Sequence, residues 1–288
     1  MNILLIGGTR YFGLYTIRQL LSDNHNVTIA TRGKTPDSFG PTIKRICIER
    51  TNPESLRCAF REMHYDVVID KLAYCSNDIR SAMETIDCDH YIHMSSTAVY
   101  EPKHWNTVEA DFDAAAKPVI WCDRGTFPYD ESKRHAERAL QQEYPDRSWL
   151  CVRYPFVVDE ADYTGRLQFY VEHTIKGIPM YIDNPDAQLG FIRADEAGQF
   201  MAFLAGKKLT GAINGCSSGT ISPKEIIAYV EQQTGTKAVL HPSGEPAPYN
   251  GEPSYSINTE LAAGLGYSFT PLHTWIYQLL DYYIHSLP

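Results

Sequence analysis

Asn2-Ile3-Leu4-Leu5-Ile6-Gly7-Gly8-Thr9-Arg10-Tyr11-Phe12-Gly13 is the stretch on which the fold turns. Asn2–Ile6 is an apolar run of strand length, stopped by two glycines. From Phe12 to Leu21 the apolar side chains (Phe12, Leu14, Ile17, Leu20) and Thr16 recur at helical spacing. Strand, glycine turn and helix in immediate succession make a phosphate cradle, because backbone N–H groups and the positive helix end face one spot. Gly7, Thr9, Arg10, Tyr11, Phe12 and Gly13 are therefore the candidate dinucleotide contacts. The competing reading is a turn whose glycines serve packing alone.

Outward from this unit the alternation continues. Strands are expected at Val27–Ala30, Ile43–Ile48, Val67–Ile69 and Tyr91–Met94, with helices at Glu54–Arg61 and Asn77–Thr85 between them. Such alternation predicts right-handed βαβ units, hence an α/β fold with a Rossmann-type doubly wound parallel sheet. Glu101–Thr126 is long for a connector, and loops of that length are usually functional or partly mobile. Tyr129–Glu143 is helical in composition, with Pro128 at its start and Pro145 beyond its end. Trp149–Arg153 is a buried strand. Further helices are expected at Arg166–Lys176, Ala194–Leu204, Pro223–Gln233 and Leu272–His285, and a strand at Gly190–Ile192. The division expected is 1–156 as the dinucleotide-binding domain and 157–288 mostly as a smaller C-terminal substrate-binding lobe. Residues 188–217, through the strand near Gly190, are expected to return to the main sheet.

The 288 residues carry a formal charge of −9, which speaks against a nucleic-acid surface. No apolar run approaches the ~20 residues of a membrane span. The seven cysteines are scattered without a C-x-x-C pair, so no metal site and no disulfide framework is expected. The N-terminal stretch has neither a basic segment nor a cleavage site, and a cytoplasmic protein with reduced thiols follows as the expectation.

Tyr129 and Lys133 stand four apart on the expected helix, so both project from one face. An ammonium beside a phenol favours the phenolate, making the pair an acid/base candidate for a hydroxyl or carbonyl; the alternative is an ordinary exposed helix face. Ser95-Ser96-Thr97 follows a strand at the carboxyl end of the sheet, where such folds bind ligands. These hydroxyls serve either substrate or loop capping.

With Ser95-Ser96-Thr97-Ala98-Val99-Tyr100, Tyr129-Asp130-Glu131-Ser132-Lys133, Val152-Arg153-Tyr154-Pro155 and Phe191–Ala197 following the glycine turn in order, the chain resembles the short-chain dehydrogenases/reductases, extended or atypical branch, also called NAD-dependent epimerase/dehydratases. The resemblance covers nearly the whole sequence, including Ile257–Gly266. It implies Tyr129 as catalytic acid/base, Lys133 as holder of the nicotinamide ribose, and Ser96 as hydrogen-bond partner of the reacting oxygen, with Ser95 and Thr97 as fallbacks. Leu72 and Ala73 match positions lining the cofactor, and Glu49 matches the carboxylate that contacts adenine. It also implies a homodimer through helices, with Asn77–Thr85 and Arg134–Leu140 as the surfaces.

Three positions depart from the family pattern. Arg10 replaces the middle glycine of the turn. Thr31-Arg32 stands where a ribose-binding acid is expected. Leu189 and Pro155-Phe156 replace the arginine and asparagine of nucleotide-sugar epimerases. Arg10 and Arg32 match basic positions of NADP-preferring relatives, so NADP is expected over NAD. The implied function is an NAD(P)-dependent oxidoreductase or epimerase/dehydratase acting on a small sugar-like or hydroxy/carbonyl substrate. The alternative is a catalytically vestigial NAD(P)-binding regulatory or RNA-binding protein of the same fold. His93 is read as a satisfied core histidine, Asp70-Lys71 as either a substrate contact or a neutralised pair, and Arg166 as a candidate for an anionic group.

Overall fold

A computed structural model describes residues 1–287, which form two compact units. The first comprises Met1–Glu101, Glu109–Pro155 and Ala194–Gly215; the second comprises Pro102–Val108, Phe156–Arg193 and the residues from Cys216 on.

The first unit runs β1 (Asn2–Ile6), α1 (Phe12–Ser22), β2 (Asn26–Thr31), β3 (Lys44–Cys47), α2 (Pro53–Phe60), β4 (His64–Asp70), α3 (Ser76–Thr85), β5 (Asp87–Ser96), α4 (Tyr129–Glu143) and β6 (Trp149–Tyr154). Seven parallel strands stand in the order β10-β6-β5-β4-β1-β2-β3, where β10 is Gly211–Asn214. The chain leaves β1 toward β2 and β3, then returns to its other side with β4. That reversal sets the switch point between β1 and β4, where ligands of this architecture bind. Ile3–Ile6 and Val67–Asp70 are buried, as strands covered on both faces require. One face of the sheet packs α2, α3 and α4 around Leu56, Ile79, Ala136 and Leu140.

The second unit contains β7 (Phe156–Val158), α5 (Arg166–Lys176), β8 (Met180–Tyr181) and β9 (Phe191–Arg193). The first unit's α6 (Ala194–Ala205) and β10 then intervene. The second unit resumes with α7 (Pro223–Thr234), β11 (Glu245–Pro246), α8 (Glu260–Gly264) and α9 (Ile276–Ser286). Helices α5, α7 and α9 enclose a core of Tyr170, Phe191, Ile226, Tyr249, Trp275 and Leu280. Ser222 caps α7 in a reciprocal box with Glu225.

Two expectations change here. The strand at Gly190 does not join the main sheet: β9 pairs in parallel with β7, and β10 is the strand that pairs with β6. The reason is pattern-level, since each run is three or four residues long with two apolar side chains, and only their partners distinguish them. The long connector is also fastened. Ser76 Oγ donates to Ile120 O (2.7 Å) and accepts from Cys122 N (2.8 Å), while Gln142 Nε2 donates to Ala114 O and Lys117 O, each at 2.7 Å. Ile120 N donates to His135 Nδ1 at 3.1 Å. This strap lies on α3 and α4, the two helices expected to form a dimer surface. Residues Ser132–Leu140 are all buried, between the sheet on one side and the strap on the other. No helix among the described residues is long and apolar enough to cross a membrane.

Candidate functional site

The glycine turn links β1 to α1. Gly7 and Gly8 have φ of 87° and 115°, a region that favours glycine. At Gly13, α1 crosses the turn so closely that a Cβ would lie 2.4 Å from Gly8 Cα and 2.8 Å from Gly8 O. Arg10 needs no glycine conformation. The left-handed residue is Tyr11 (φ 58°), one position later than the family's middle glycine. Arg10 points outward and donates from Nε to Thr35 Oγ1 at 3.2 Å. Arg32 is exposed, and neither arginine pairs with Glu49. Glu49 is exposed just beyond β3, where Thr51 donates to its carboxylate. Leu72 packs beneath Gly7, its Cγ lying 3.0 Å from where a Cβ would sit. Ala73 is buried and offers its carbonyl to the next group.

That group is Lys133, fully buried on α4. Its Nζ donates to Ala73 O at 2.7 Å and to Met94 O at 2.6 Å, joining the ends of β4 and β5. The ammonium lies 4.9 Å from the Tyr74 ring centroid and 6.0 Å from that of Tyr129. Burial lowers its pKa to about 8, with Asp70, Glu137 and Asp78 opposing. Tyr129 is 49% exposed on the first turn of α4 and meets Tyr74 edge-on at 6.3 Å. The structure thus brings Tyr129, Lys133, Leu72 and Ala73 together around Tyr74, a residue the sequence reading passed over. Arg124, also passed over, donates to Leu72 O and Asp78 and lies 5.0 Å over the Tyr74 ring.

The three hydroxyls separate. Ser96 Oγ accepts from Ala98 N at 3.2 Å and lies 3.4 Å from Tyr154 O, on the half-buried end of β5. Ser95, the neighbouring side chain on the strand, points the other way and donates to Glu137 Oε1 at 2.5 Å. Glu137 is itself paired with Arg153 at 2.6 Å, both buried. Ser95 belongs to that ionic core, and Thr97 is buried, leaving Ser96 as the accessible hydroxyl of the three.

Asp70-Lys71 is not a neutralised pair. Strand alternation sends the two to opposite faces. Asp70 accepts from Arg50 (2.5 Å) and Tyr91 (2.9 Å). Lys71 is 7% exposed, with Nζ 3.7 Å over the Phe12 ring. His93 is in the core, but both ring nitrogens lack a partner, and burial holds its pKa well below the usual value. In the second unit Leu189 is buried and the Phe156 ring packs tilted against Tyr249, centroids 4.5 Å apart. Arg166 lies 5.2 Å over the Phe156 ring.

No protein-family model matches the sequence. The chain is 24% identical over 234 residues to the chloroplast stem-loop binding protein of 41 kDa b of Arabidopsis thaliana, covering 74% of this chain and 57% of that protein. It is 24% identical over 222 residues to 2'-dehydrokanamycin reductase of Streptomyces kanamyceticus, covering 74% of this chain and 60% of that protein. The chain thus spans less than two thirds of the length of either relative. UDP-glucuronic acid 4-epimerase from Bacillus cereus, solved with UDP-glucuronic acid and NAD, superposes with a TM-score of 0.75 at 17% identity over all of both chains. The chain thus shares its fold with solved NAD-bound 4-epimerases of nucleotide sugars.

Proposed function

We propose that this protein is a nicotinamide-dependent oxidoreductase or epimerase/dehydratase acting on a small sugar-like or hydroxy/carbonyl substrate. The observation carrying this reading is Lys133, a fully buried ammonium held by the carbonyls of Ala73 and Met94 within reach of the Tyr129 ring. Keeping a charge out of water is costly, and here the charge lies beside the phenol that would exchange a proton with substrate. The turn Gly7–Gly13 with α1, lined by Leu72 and Ala73, fits a dinucleotide because its backbone leaves no room for side chains. When bound, the nicotinamide supplies hydride transfer to or from substrate carbon. Tyr129 gives or takes the proton on oxygen, Lys133 holds the ribose, and Ser96 donates to the reacting oxygen.

Leu189 and Phe156 stand where nucleotide-sugar epimerases carry an arginine and an asparagine, which favours a small substrate over a nucleotide-sugar diphosphate. Arg10 and Arg32, which pair with no carboxylate among the described residues, would meet a 2′-phosphate and favour NADP(H). Tyr129→Phe tests the reading: cofactor binding should persist while turnover of hydroxy- or keto-sugar substrates falls about 10²–10⁴-fold. Calorimetry of wild type and Arg32→Ala with NAD and NADP tests the preference, since losing one arginine–phosphate contact should weaken NADP about ten- to a hundredfold. Equal binding of NADP by the two proteins would remove Arg32 from that role.

A second reading, RNA binding without catalysis, rests on the name of the Arabidopsis relative. The charge of −9 and the buried Lys133 weigh against it. Salt-sensitive RNA binding in the absence of nicotinamide binding would reverse the order of the two readings.

A further inference from the structure

Lys71 follows β4 at the switch point, and among the described residues its ammonium makes no hydrogen bond or ion pair. Its backbone N–H continues the parallel ladder by donating to Ile6 O at 3.1 Å. The side chain reaches the last glycine of the turn: Nζ lies 3.7 Å from the Phe12 ring centroid and 2.6 Å from the position a Cβ on Gly13 would take. Lys71 is thus a cation packed against the positive end of an eleven-residue helix. A helix N-terminus repels an ammonium and attracts an anion. Burial is the sole cause of the drop in its pKa to about 7.

The charged groups of the surrounding elements do not compensate it. Asp70 is turned to the other face and engaged by Arg50. Arg10 is exposed and held by Thr35, and Arg18 of α1 lies over Tyr15. Asp195 and Glu196 begin α6, the helix packed against α1, yet contribute nothing to the Lys71 pKa. His93 of β5 stays neutral through burial.

A cation that is buried, unpaired and placed against a helix N-terminus is unfavourable in the free protein and suited to a bound anion. We infer that Lys71 is a direct ligand of the cofactor's diphosphate, adding a charge beside the last glycine of the turn. This rests on the dinucleotide reading above. It gives the turn a side-chain donor on the inner side, whereas Arg10 points outward. The diphosphate of NAD does not titrate near neutrality, so proton uptake with NAD would come from the protein.

The test uses the full chain and calorimetric titration with NAD in two buffers of different ionisation enthalpy, between pH 6.5 and 9. Wild type should take up a fraction of a proton above pH 7, and its affinity should fall as the pH rises further. Lys71→Met, which keeps the packing on Phe12, should bind about ten- to a hundredfold more weakly and take up none. Lys71→Arg should restore much of the affinity without the proton linkage. Inorganic pyrophosphate is titrated in parallel. Equal NAD affinity and proton uptake in wild type and the Met variant would overturn the inference while leaving the dinucleotide reading intact. Pyrophosphate binding that depends on Lys71, with binding of neither NAD nor NADP, would overturn both the dinucleotide reading and the inference that rests on it, leaving Lys71 a ligand of inorganic diphosphate alone. Absence of both overturns both. Should the Met variant fail to fold, lysine ¹³Cε chemical shifts of the wild type decide. A Lys71 pKa that does not rise by at least about one unit on adding NAD counts against direct contact.

Discussion

The guanidinium of Arg80 lies 3.4 Å from the ring centroid of Trp121, which pins the strap of residues 112–124 onto α3. Asn77 reinforces the contact, its Nδ2 donating to Asp123 at 2.9 Å and its N–H to Cys122 O at 3.2 Å. Helices α3 and α4 would have to shed this strap to pair with a second copy. We therefore predict a monomer by sedimentation at micromolar concentration. A dimer whose cross-links map to 77–85 and 134–140 would contradict the prediction. Trp121→Ala should make the strap the first site of limited proteolysis.

How far this was legible in the sequence differs between elements. The opening strand–turn–helix and the Tyr129–Glu143 helix were readable because hydrophobic period, glycines and flanking prolines all agree there. The strap was not, since its hold on α3 and α4 depends on Ser76, His135 and Gln142, polar side chains that read as helix surface until their partners are placed. The assignment of Lys71 likewise fails in one dimension. Asp70 and Lys71 look like a neutral pair until the pleat sends one to Arg50 and the other beneath Phe12. Ser96 could be preferred to Ser95 only once Glu137 and Arg153 were seen to claim the latter.

Glu137→Gln should destabilise the first unit strongly. Glu137 is the carboxylate that pairs with buried Arg153, which also donates to Tyr100 Oη and the carbonyls of Glu109 and Phe112 and lies over the Tyr100 and Phe112 rings. Breaking one side of a buried pair costs about 3–5 kcal/mol, because a charge is left without its partner. Chemical denaturation should show the midpoint falling. A change below about 1 kcal/mol would mean that Arg153 finds other solvation.

Gly13→Ala should lose dinucleotide binding while the strands remain intact. The new methyl would meet backbone at 2.4 Å and Lys71 Nζ at 2.6 Å, so α1 must move off the turn. Overpacking of this kind costs about 1–3 kcal/mol. The readout is calorimetric binding of NAD beside circular dichroism: retained affinity would show that the turn tolerates displacement.

The pH profile should report Lys133. Its pKa lies near 8 in the folded protein, lowered from 10.5 by burial, so the ammonium is lost as pH rises through about 8. If the charge supports Tyr129, kcat/KM of the free enzyme should decline above that pH. Lys133→Arg, charged throughout, should flatten the alkaline limb even if overall turnover falls. An unchanged limb in that variant would assign the ionisation elsewhere.

Lys71 makes the opposite trade between stability and binding. The unfolded chain holds its proton to about pH 10.4, the folded chain only to about 7. Between these values the unfolded state binds more protons, so stability rises with pH across that window and is lowest at and below pH 7. Lys71→Met removes this burden. At pH 7 it should stabilise the ligand-free protein by on the order of 2–4 kcal/mol, with the advantage shrinking toward pH 10. Saturating NAD should narrow the gap from the other side, because only wild type gains the contact between its ammonium and the diphosphate. Thermal unfolding of both proteins, with and without NAD, at pH 7 and pH 9.5 gives the comparison. A Met variant that is less stable at pH 7 would mean that the Lys71 ammonium over the Phe12 ring supports the fold and carries no net electrostatic cost.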